Sequence, residues 1–198
     1  MGCDKTVTVR NVIITIYPLG GYHDYRNTIG ADRSDHFAGR TLIVDPGWNT
    51  LGWMLIEGMT PLVDSTSSIE MGVAGVLEKV GRRISMSASD ELPFPSSSLL
   101  TEIDRWVRAG EISLEGGKFT TAIQPYLKPR RDYLERVVIK ILSSLEEKHT
   151  ISEVVVVGCA ASLYKPVIAK YFPRHDVIIP NDWVYANVRG FQAMGFRL

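Results

Sequence analysis

The first third of the chain alternates apolar, β-branched runs with polar turns, a pattern typical of strands. Residues 6–17 (TVTVRNVIITIY) predict one long strand, because valine, isoleucine and threonine fit a pleated, half-buried backbone. Residues 41–45 and 51–58 predict two more strands joined by a tight turn. The polar connector after the first strand predicts a short helix near 21–28, and 59–68 predicts a short strand followed by a helix cap.

The rest of the chain alternates helical periodicity with continuous apolar runs. Apolar residues at helical spacing predict a helix that begins near Ile69 and is capped by Ser67 or Ser68. The same reasoning predicts the remaining elements: helices over 96–109, 129–148, 161–171 and 184–194, a hairpin around 116–117, and strands over 153–158 and 176–179.

The order of these elements predicts the fold class. Strands come first and then alternate with helices, which predicts an α/β fold with helices packed on a mixed sheet. The apolar run at 153–158 (EVVVVG) is typical of a strand buried on both faces. In such sheets ligands bind beyond the carboxyl ends of the strands, so the residues that follow each strand are the candidates for chemistry.

Composition excludes several classes of function. Of 198 residues 45% are hydrophobic, which is enough for a packed core, and 22 basic residues balance 22 acidic ones. This neutral balance gives no electrostatic argument for nucleic acid or an anionic membrane. Two distant cysteines form no disulfide framework, so we expect a reducing, cytoplasmic setting. No segment has the pattern of a signal peptide or membrane span, and the four histidines lack metal-site spacing.

The turn VDPGWNT follows the strand at 41–45 and carries the first candidate site. Asp45 at the strand end is suited to hold hydrated Mg²⁺, which prefers a few carboxylates and keeps several waters. The amides of residues 47–50 and the hydroxyl of Thr50 are suited to donate to phosphate oxygens. An ordinary hairpin turn, with Asp-Pro-Gly selected for its backbone angles, explains the same residues.

The segment VVVVGCAASLYKP carries the second candidate site. A buried strand runs into Gly158 and small residues before a helix begins, so a ligand ring or phosphate can lie against the backbone there. Close packing of strand on helix also requires small residues and remains an alternative. The segment matches neither the dinucleotide-binding glycine pattern nor the Walker A pattern.

Taken together, the two turns carry a resemblance to a known family. A strand–Asp-x-Gly-x-x-Thr–strand hairpin, a helix, and a later apolar strand ending in Gly-small-small resemble the second half of the actin-like, RNase H-like ATPase fold. The segments LIVDPGWNTLGW, VIITIYPLGGYHDY and VVVVGCAASLYKPVIAKYF are similar to plasmid segregation proteins of the StbA/ParM class. Within this class the segments most resemble PRTRC system protein D in sequence, and ANVRGFQAMG is the most specific of the matching segments.

This resemblance implies a ligand, a set of site residues and a mode of assembly. It implies ATP with Mg²⁺, with Asp45 as the catalytic and metal-side residue. It implies that the phosphates contact Gly47, Trp48, Asn49 and Thr50, and that the nucleoside contacts Gly72, Gly158, Cys159, Ala160 and Ala161. It further implies filaments by self-association, or a complementary chain that supplies the first domain, together with a DNA-bound adaptor and no membrane.

The sequence also departs from the family pattern. The family's first phosphate loop is not found, so residues 1–20 are predicted to be a remnant of the first domain or a leading strand. Residues 21–198 are then the second domain, with 88–125 as a small inserted subdomain. Relatives commonly have Asp where this chain has Gly52, and often Gln where it has Tyr17. Because hydrolysis needs a positioned water, we expect weak or no ATPase activity. The alternative is a degenerate actin-like interaction or filament-capping protein that binds no nucleotide.

Overall fold

The computed structural model of the chain describes residues 8, 9, 12, 14–29, 39–87, 100, 101, 103, 104, 124–145 and 150–195. Its elements, in chain order, are α1 (Tyr17–Ile29), β1 (Arg40–Pro46), β2 (Leu51–Glu57), β3 (Thr60–Ile69), α2 (Val73–Ser87), α3 (Gln124–Ser144), β4 (Ile151–Val156), α4 (Ala161–Tyr171), β5 (Val177–Ile178), a 3₁₀-helix (Trp183–Tyr185) and α5 (Ala186–Gly195). None of the described helices is both long enough and apolar enough to cross a bilayer.

The strands form one five-stranded sheet in the order β3-β2-β1-β4-β5. The hairpin neighbours β1, β2 and β3 pair antiparallel, whereas β4 pairs parallel to both β1 and β5. The predicted α/β class, a mixed sheet flanked by helices, is confirmed. Because β1 and β4 are parallel neighbours at the centre of the sheet, their carboxyl ends lie side by side at one edge.

Hydrophobic residues of β1 alternate between two cores on opposite faces of the sheet. Leu42 and Val44 belong to the larger core, to which α2, α3 and α4 contribute buried side chains. Ile43 points to the other face and joins a smaller core with Tyr22 of α1 and Ala186 of α5. All five of these residues are fully buried, as the continuous apolar run of a central strand predicts.

Helices α1 and α5 cover that second face as a tightly crossed pair. Gly20 and Gly190 meet at the crossing, so the two backbones are in direct contact. Beside the crossing, Arg189 makes a two-pronged ion pair with the buried Asp24, with Nε–Oδ1 and Nη2–Oδ2 distances of 2.8 and 2.7 Å. Backbone packing and an ion pair thereby hold α1 and α5 together.

The predicted strand over 6–17 is wrong for the described residues. Tyr17 begins α1, and residues 14–16 have no regular secondary structure. Val9, Val12 and Ile14 are 72%, 80% and 96% exposed, so no neighbouring strand covers these side chains. The reason is that β-propensity largely reflects packing against neighbours, and a β-branched run without such neighbours need not form a strand.

The predicted start of the helix at Ile69 and its serine cap are also wrong. Ser67 and Ser68 pair with Trp53 and Gly52 inside β3, and α2 begins only at Val73. Cross-strand pairing therefore extends the strand through the serines. The helix end is satisfied by other groups, which belong to the candidate site.

Other predictions fall partly outside the described residues. The helix over 161–171 is confirmed, and those near 21–28, 129–148 and 184–194 are confirmed with shifted ends. Residues 100, 101, 103 and 104 are helical, in keeping with the helix predicted there, whose other residues lie outside the description. The hairpin near 116–117 lies wholly outside it, and the domain boundaries stay predictions.

Candidate functional site

Asp45 lies near the end of β1 and is buried, with 8% of the residue exposed. Its Oδ2 accepts a hydrogen bond of 2.9 Å from Nδ2 of Asn187 in α5. Burial raises the pKa of the Asp45 carboxyl, and the Asn187 hydrogen bond partly opposes this rise. The ionised carboxylate is therefore poorly solvated by the protein alone, which favours a cation beside it.

Gly158 follows β4 and lies directly against Asp45. Its φ of +83° is in the left-handed region, and a Cβ there would overlap Oδ1 of Asp45 and lie 3.0 Å from the carbonyl oxygen of Pro46. Ala160 N donates to that same carbonyl at 3.0 Å, so the β4–α4 turn is bonded to the β1–β2 turn. The two candidate turns, distant in sequence, are thus brought into direct contact.

The β1–β2 turn is fastened to the start of α2 by three backbone hydrogen bonds. The carbonyls of Gly47, Trp48 and Asn49 accept from the amides of Val73, Ala74 and Gly72 at 3.1, 2.9 and 2.8 Å respectively. These carbonyls satisfy amides that a helix N-terminus leaves unpaired, so the turn replaces the predicted serine cap. The positive end of α2 is consequently directed at the back of the turn.

This arrangement sets the direction of the turn's own amides. The described residues contain no cis peptide bond, and in a trans peptide the N–H points away from the C=O. The amides of Trp48, Asn49 and Thr50 share peptide planes with the three carbonyls bound to α2, so they point the opposite way. Within the described part of the chain these amides have no backbone acceptor, whereas that of Gly47 donates to the Thr50 carbonyl at 2.8 Å. Such a set of parallel amides suits an anion.

Two tyrosines hold the segment before α2 from behind. Tyr164 donates from its hydroxyl to the carbonyl of Met71 at 3.1 Å, and Tyr133 to that of Gly72 at 3.2 Å. Burial raises the pKa of both phenols, so they remain protonated donors. Together they fix the backbone on which the turn rests.

A cleft of about 920 Å³ opens in front of both turns, near the upper end of the range of about 300–1,000 Å³ for small-molecule sites. Six predicted site residues line it: Asp45, Gly47, Asn49, Thr50, Gly158 and Cys159. Its other described walls come from the residues before and at the start of α1, the start of β2, the last part of β3, the 3₁₀-helix and the start of α5, namely Thr15, Ile16, Tyr17, Pro18, Gly52, Trp53, Thr66, Ser67, Ser68, Val184 and Asn187.

Four predicted site residues are not among the described lining of the cleft. Trp48 is half exposed on the turn, and Gly72 lies behind the turn, where a Cβ would overlap the Trp48 carbonyl oxygen. Ala160 and Ala161 are fully buried in the larger core at the start of α4. The direct contact of these four residues with a ligand stays a prediction.

Sequence reasoning missed Asn187 as a site residue, although it lies in the segment ANVRGFQAMG that carried the resemblance. A polar residue in an otherwise small and apolar helix start was the available signal. Ser67 or Ser68 was assigned to a helix cap, whereas both residues belong to β3 and line the cleft. Their signal was the polar run STSS at the end of an edge strand.

The described residues contain no group of three or more His, Cys, Asp or Glu side chains suited to a metal. Asp45 is the carboxylate among the residues that line the cleft. A single carboxylate fits Mg²⁺ that is bound mainly by waters and ligand phosphates, and it does not fit a metal held only by protein.

Replacing Gly158 with alanine is expected to lower the free energy of unfolding by about 2 kcal/mol or more. The left-handed backbone alone costs roughly 1–2 kcal/mol for a residue with a Cβ, and overlap with Asp45 adds to this. Urea unfolding followed by circular dichroism measures the change. Gly158→Asn separates the two causes, because asparagine tolerates the left-handed region but keeps the Cβ. If Gly158→Asn restores stability, the overlap with Asp45 is not the cause.

Comparison with known proteins finds similarity in structure rather than sequence. No protein-family model and no curated protein matches the chain. Ta0583, an archaeal actin homologue solved in complex with ADP, superposes with a TM-score of 0.71 at 19% identity, over 91% of this chain and 56% of that one. The fold is actin-like.

Two bacterial actin-like proteins extend the comparison. ParM from Clostridium botulinum, solved as a 15-stranded filament, matches with a TM-score of 0.71 at 12% identity over 90% of this chain and 51% of that one. ParM from Bacillus thuringiensis, solved with ATP, gives 0.53 at 13% over 80% and 47%. The chain therefore spans about half the length of the actin-like structures that it matches.

Proposed function

We propose that this chain binds an adenine nucleotide with Mg²⁺ in the cleft between its two turns, as part of an actin-like protein of the plasmid segregation class. One observation carries the proposal: the β1–β2 turn and the β4–α4 turn meet around Asp45, and the turn amides point away from α2. Structures of Ta0583 with ADP and of B. thuringiensis ParM with ATP, which share the fold, support it.

In the proposed complex each of the predicted site residues has a defined role. Asp45 faces the metal, and the amides of Trp48, Asn49 and Thr50 and the Thr50 hydroxyl donate to phosphate oxygens. The backbone of Gly158 and Cys159 lies against the nucleoside, and Gly72, Ala160 and Ala161 complete that wall from behind. Mg²⁺, when bound, supplies neutralisation of phosphate charge.

We further propose that hydrolysis is weak or absent in this chain alone. Position 52, where the family carries a polar group near the attacking water, is a glycine, and a Cβ there would lie 3.3 Å from Cγ of Pro18. Tyr17 lines the cleft where relatives often have glutamine. A phenol and a glycine therefore stand where relatives have an amide and a carboxylate suited to orient the attacking water, and loss of both should slow in-line attack.

The plasmid segregation assignment follows the resemblance of ANVRGFQAMG and its companion segments to the StbA/ParM class and PRTRC system protein D. By this proposal the protein acts in the cytoplasm, assembles into filaments or pairs with a chain that supplies the first domain, and contacts a DNA-bound adaptor. The filament of C. botulinum ParM, of which this chain matches about half, supports the assembly part.

The test of nucleotide binding is calorimetric titration of the full chain with Mg·ADP and Mg·ATP, comparing wild type with Asp45→Asn. We expect micromolar binding by wild type and a loss of about tenfold or more in Asp45→Asn, since a charge-mediated contact contributes about 1.5–3 kcal/mol. With EDTA and ADP, Asp45→Asn should bind at least as well as wild type, because a phosphate-repelling charge is gone. Asp64→Asn, the same change at an exposed position of β3, is the control.

The same variant separates function from stability. Since burial raises the pKa of Asp45 in the fold, ionisation of this carboxyl costs stability as the pH rises through that pKa. At pH 7 Asp45→Asn should therefore leave the free energy of unfolding unchanged or higher. Equal Mg·ADP affinities of wild type and Asp45→Asn would contradict the assigned role. No binding by wild type would favour the actin-like interaction or filament-capping protein.

A further inference from the structure

The side-chain amide of Asn187 has both of its ends hydrogen-bonded to groups on different elements. Its Oδ1 accepts from the backbone N–H of Gly21 in α1 at 2.8 Å, and its Nδ2 donates to Oδ2 of Asp45 in β1 at 2.9 Å. Asn187 lies in the first turn of α5. One side chain thus connects the candidate metal-side carboxylate with both helices of the crossed pair.

Chemistry dictates the orientation of this amide. If the amide were flipped, its oxygen would face the Asp45 carboxylate and its NH₂ would face the Gly21 N–H, so both contacts would become repulsive. Only the observed orientation satisfies both partners. Asn187 therefore takes up one lone pair of Asp45 Oδ2 and fixes the rotation of the carboxylate, so that its remaining lone pairs keep a constant direction.

Other contacts hold Asn187 in place independently of Asp45. The backbone of Gly20 in α1 packs directly against the backbone of Asn187, because a Cβ at Gly20 would lie 2.6 Å from the carbonyl oxygen of Asn187. Two residues further along α5, Arg189 is ion-paired with Asp24 of α1. The backbone of Asn187 is thus set by the α1–α5 crossing, and its side chain transmits that position to Asp45.

We propose that Asn187 is a positioning residue for the Mg²⁺ side of the cleft, which orients the Asp45 carboxylate and couples it to α1 through the Gly21 amide. This inference rests on the proposed function, because it assigns Asn187 a part in metal-dependent nucleotide binding. Removing a group that orients a metal-side carboxylate typically lowers metal affinity by about 10- to 100-fold.

The experiment measures the Mg²⁺ enhancement of ADP affinity, which is the Kd for ADP with EDTA divided by the Kd with Mg²⁺. Asn187→Leu has nearly the same shape but can make neither hydrogen bond, and Asn187→Ala serves if leucine prevents folding. We expect either variant to reduce the enhancement at least tenfold while affinity in EDTA changes little. Asn181→Leu, the same change at an exposed position in the preceding loop, should leave the enhancement unchanged.

Combining the substitutions tests the mechanism. If Asn187 acts through Asp45, Asn187→Leu should reduce the enhancement no further in an Asp45→Asn background. In NMR spectra, the resonance of the Gly21 backbone amide should shift when wild type binds Mg·ADP, and it should not shift in Asn187→Leu. Equal losses of affinity with and without Mg²⁺, or additive effects, overturn the inference and leave Asn187 with a structural role. Absence of nucleotide binding by wild type overturns the proposed function, and this inference with it.

Discussion

Replacing Gly190 with alanine is expected to destabilise the protein, although alanine is the better helix former by about 1 kcal/mol. At this position a Cβ would overlap the carbonyl oxygen of Gly20 and lie 2.5 Å from its carbonyl carbon. Both atoms belong to the backbone of α1, so no side chain can rotate away and the helices must separate. Overpacking of this kind costs roughly 1–3 kcal/mol, and separation of α1 from α5 should add to it.

The measurement is urea unfolding followed by helical circular dichroism, with Gly195→Ala as the matched control. Gly195 ends the same helix, and a Cβ there would meet nothing within 4 Å. Gly195→Ala should therefore leave stability unchanged or slightly raised, whereas Gly190→Ala should lower it by about 2 kcal/mol or more after the propensity gain. A stabilising effect at both positions would show that the crossing does not depend on backbone contact.

Removing the Arg189 guanidinium is expected to produce the other large effect. Asp24 is buried, with a side chain 8% exposed, and Arg189 contacts both of its oxygens. Loss of one partner of a buried pair typically costs about 3–5 kcal/mol, because it leaves an uncompensated charge. The Arg189 side chain is 36% exposed, so we expect Arg189→Met to cost roughly 3 kcal/mol, at the lower end of that range.

A double-mutant cycle decides whether that cost comes from the stranded carboxylate. In an Asp24→Asn background, Arg189→Met should cost less than half as much, because no buried charge remains. Asp182→Asn is the control: its carboxylate also contacts Arg189, at 2.8 Å, but its side chain is 63% exposed, so its loss should cost under about 1 kcal/mol. Equal costs in both backgrounds would assign the effect to lost packing of the arginine stem.

Much of the fold could be predicted because the deciding interactions are local or periodic. The helix over 161–171 follows an apolar strand and small residues, and its bounds were correct. The hairpin of β1 and β2 follows from Asp-Pro-Gly between apolar runs. The predicted strand over 6–17 failed because β-branched residues form a strand only where neighbours cover them, and Val9 and Ile14 are exposed.

In the candidate site, too, the features with a local sequence signal were predicted and those set by long-range contacts were not. The two turns were found because glycine and a carboxylate at strand ends are visible in the sequence. The cap of α2 was not, because its acceptors are carbonyls of the β1–β2 turn and carry no side-chain signature. Asn187 was not predicted as a site residue because its partners, Gly21 and Asp45, lie 166 and 142 residues away in sequence. Which polar group meets which is decided by the parallel pairing of β1 with β4 and by the helix crossing.

The packing of α5 on α1 has a consequence for synthesis on the ribosome. All five strands of the sheet, through Ile178, leave the exit tunnel before Asn187 and Arg189 do. A nascent chain can therefore pair its sheet while the Asp45 carboxylate still lacks its amide donor and Asp24 its guanidinium. The second face of the sheet is completed after the strands have paired, so a product that terminates before α5 lacks Ala186 from the core that contains Tyr22 and Ile43 and is a natural target for chaperones and proteases.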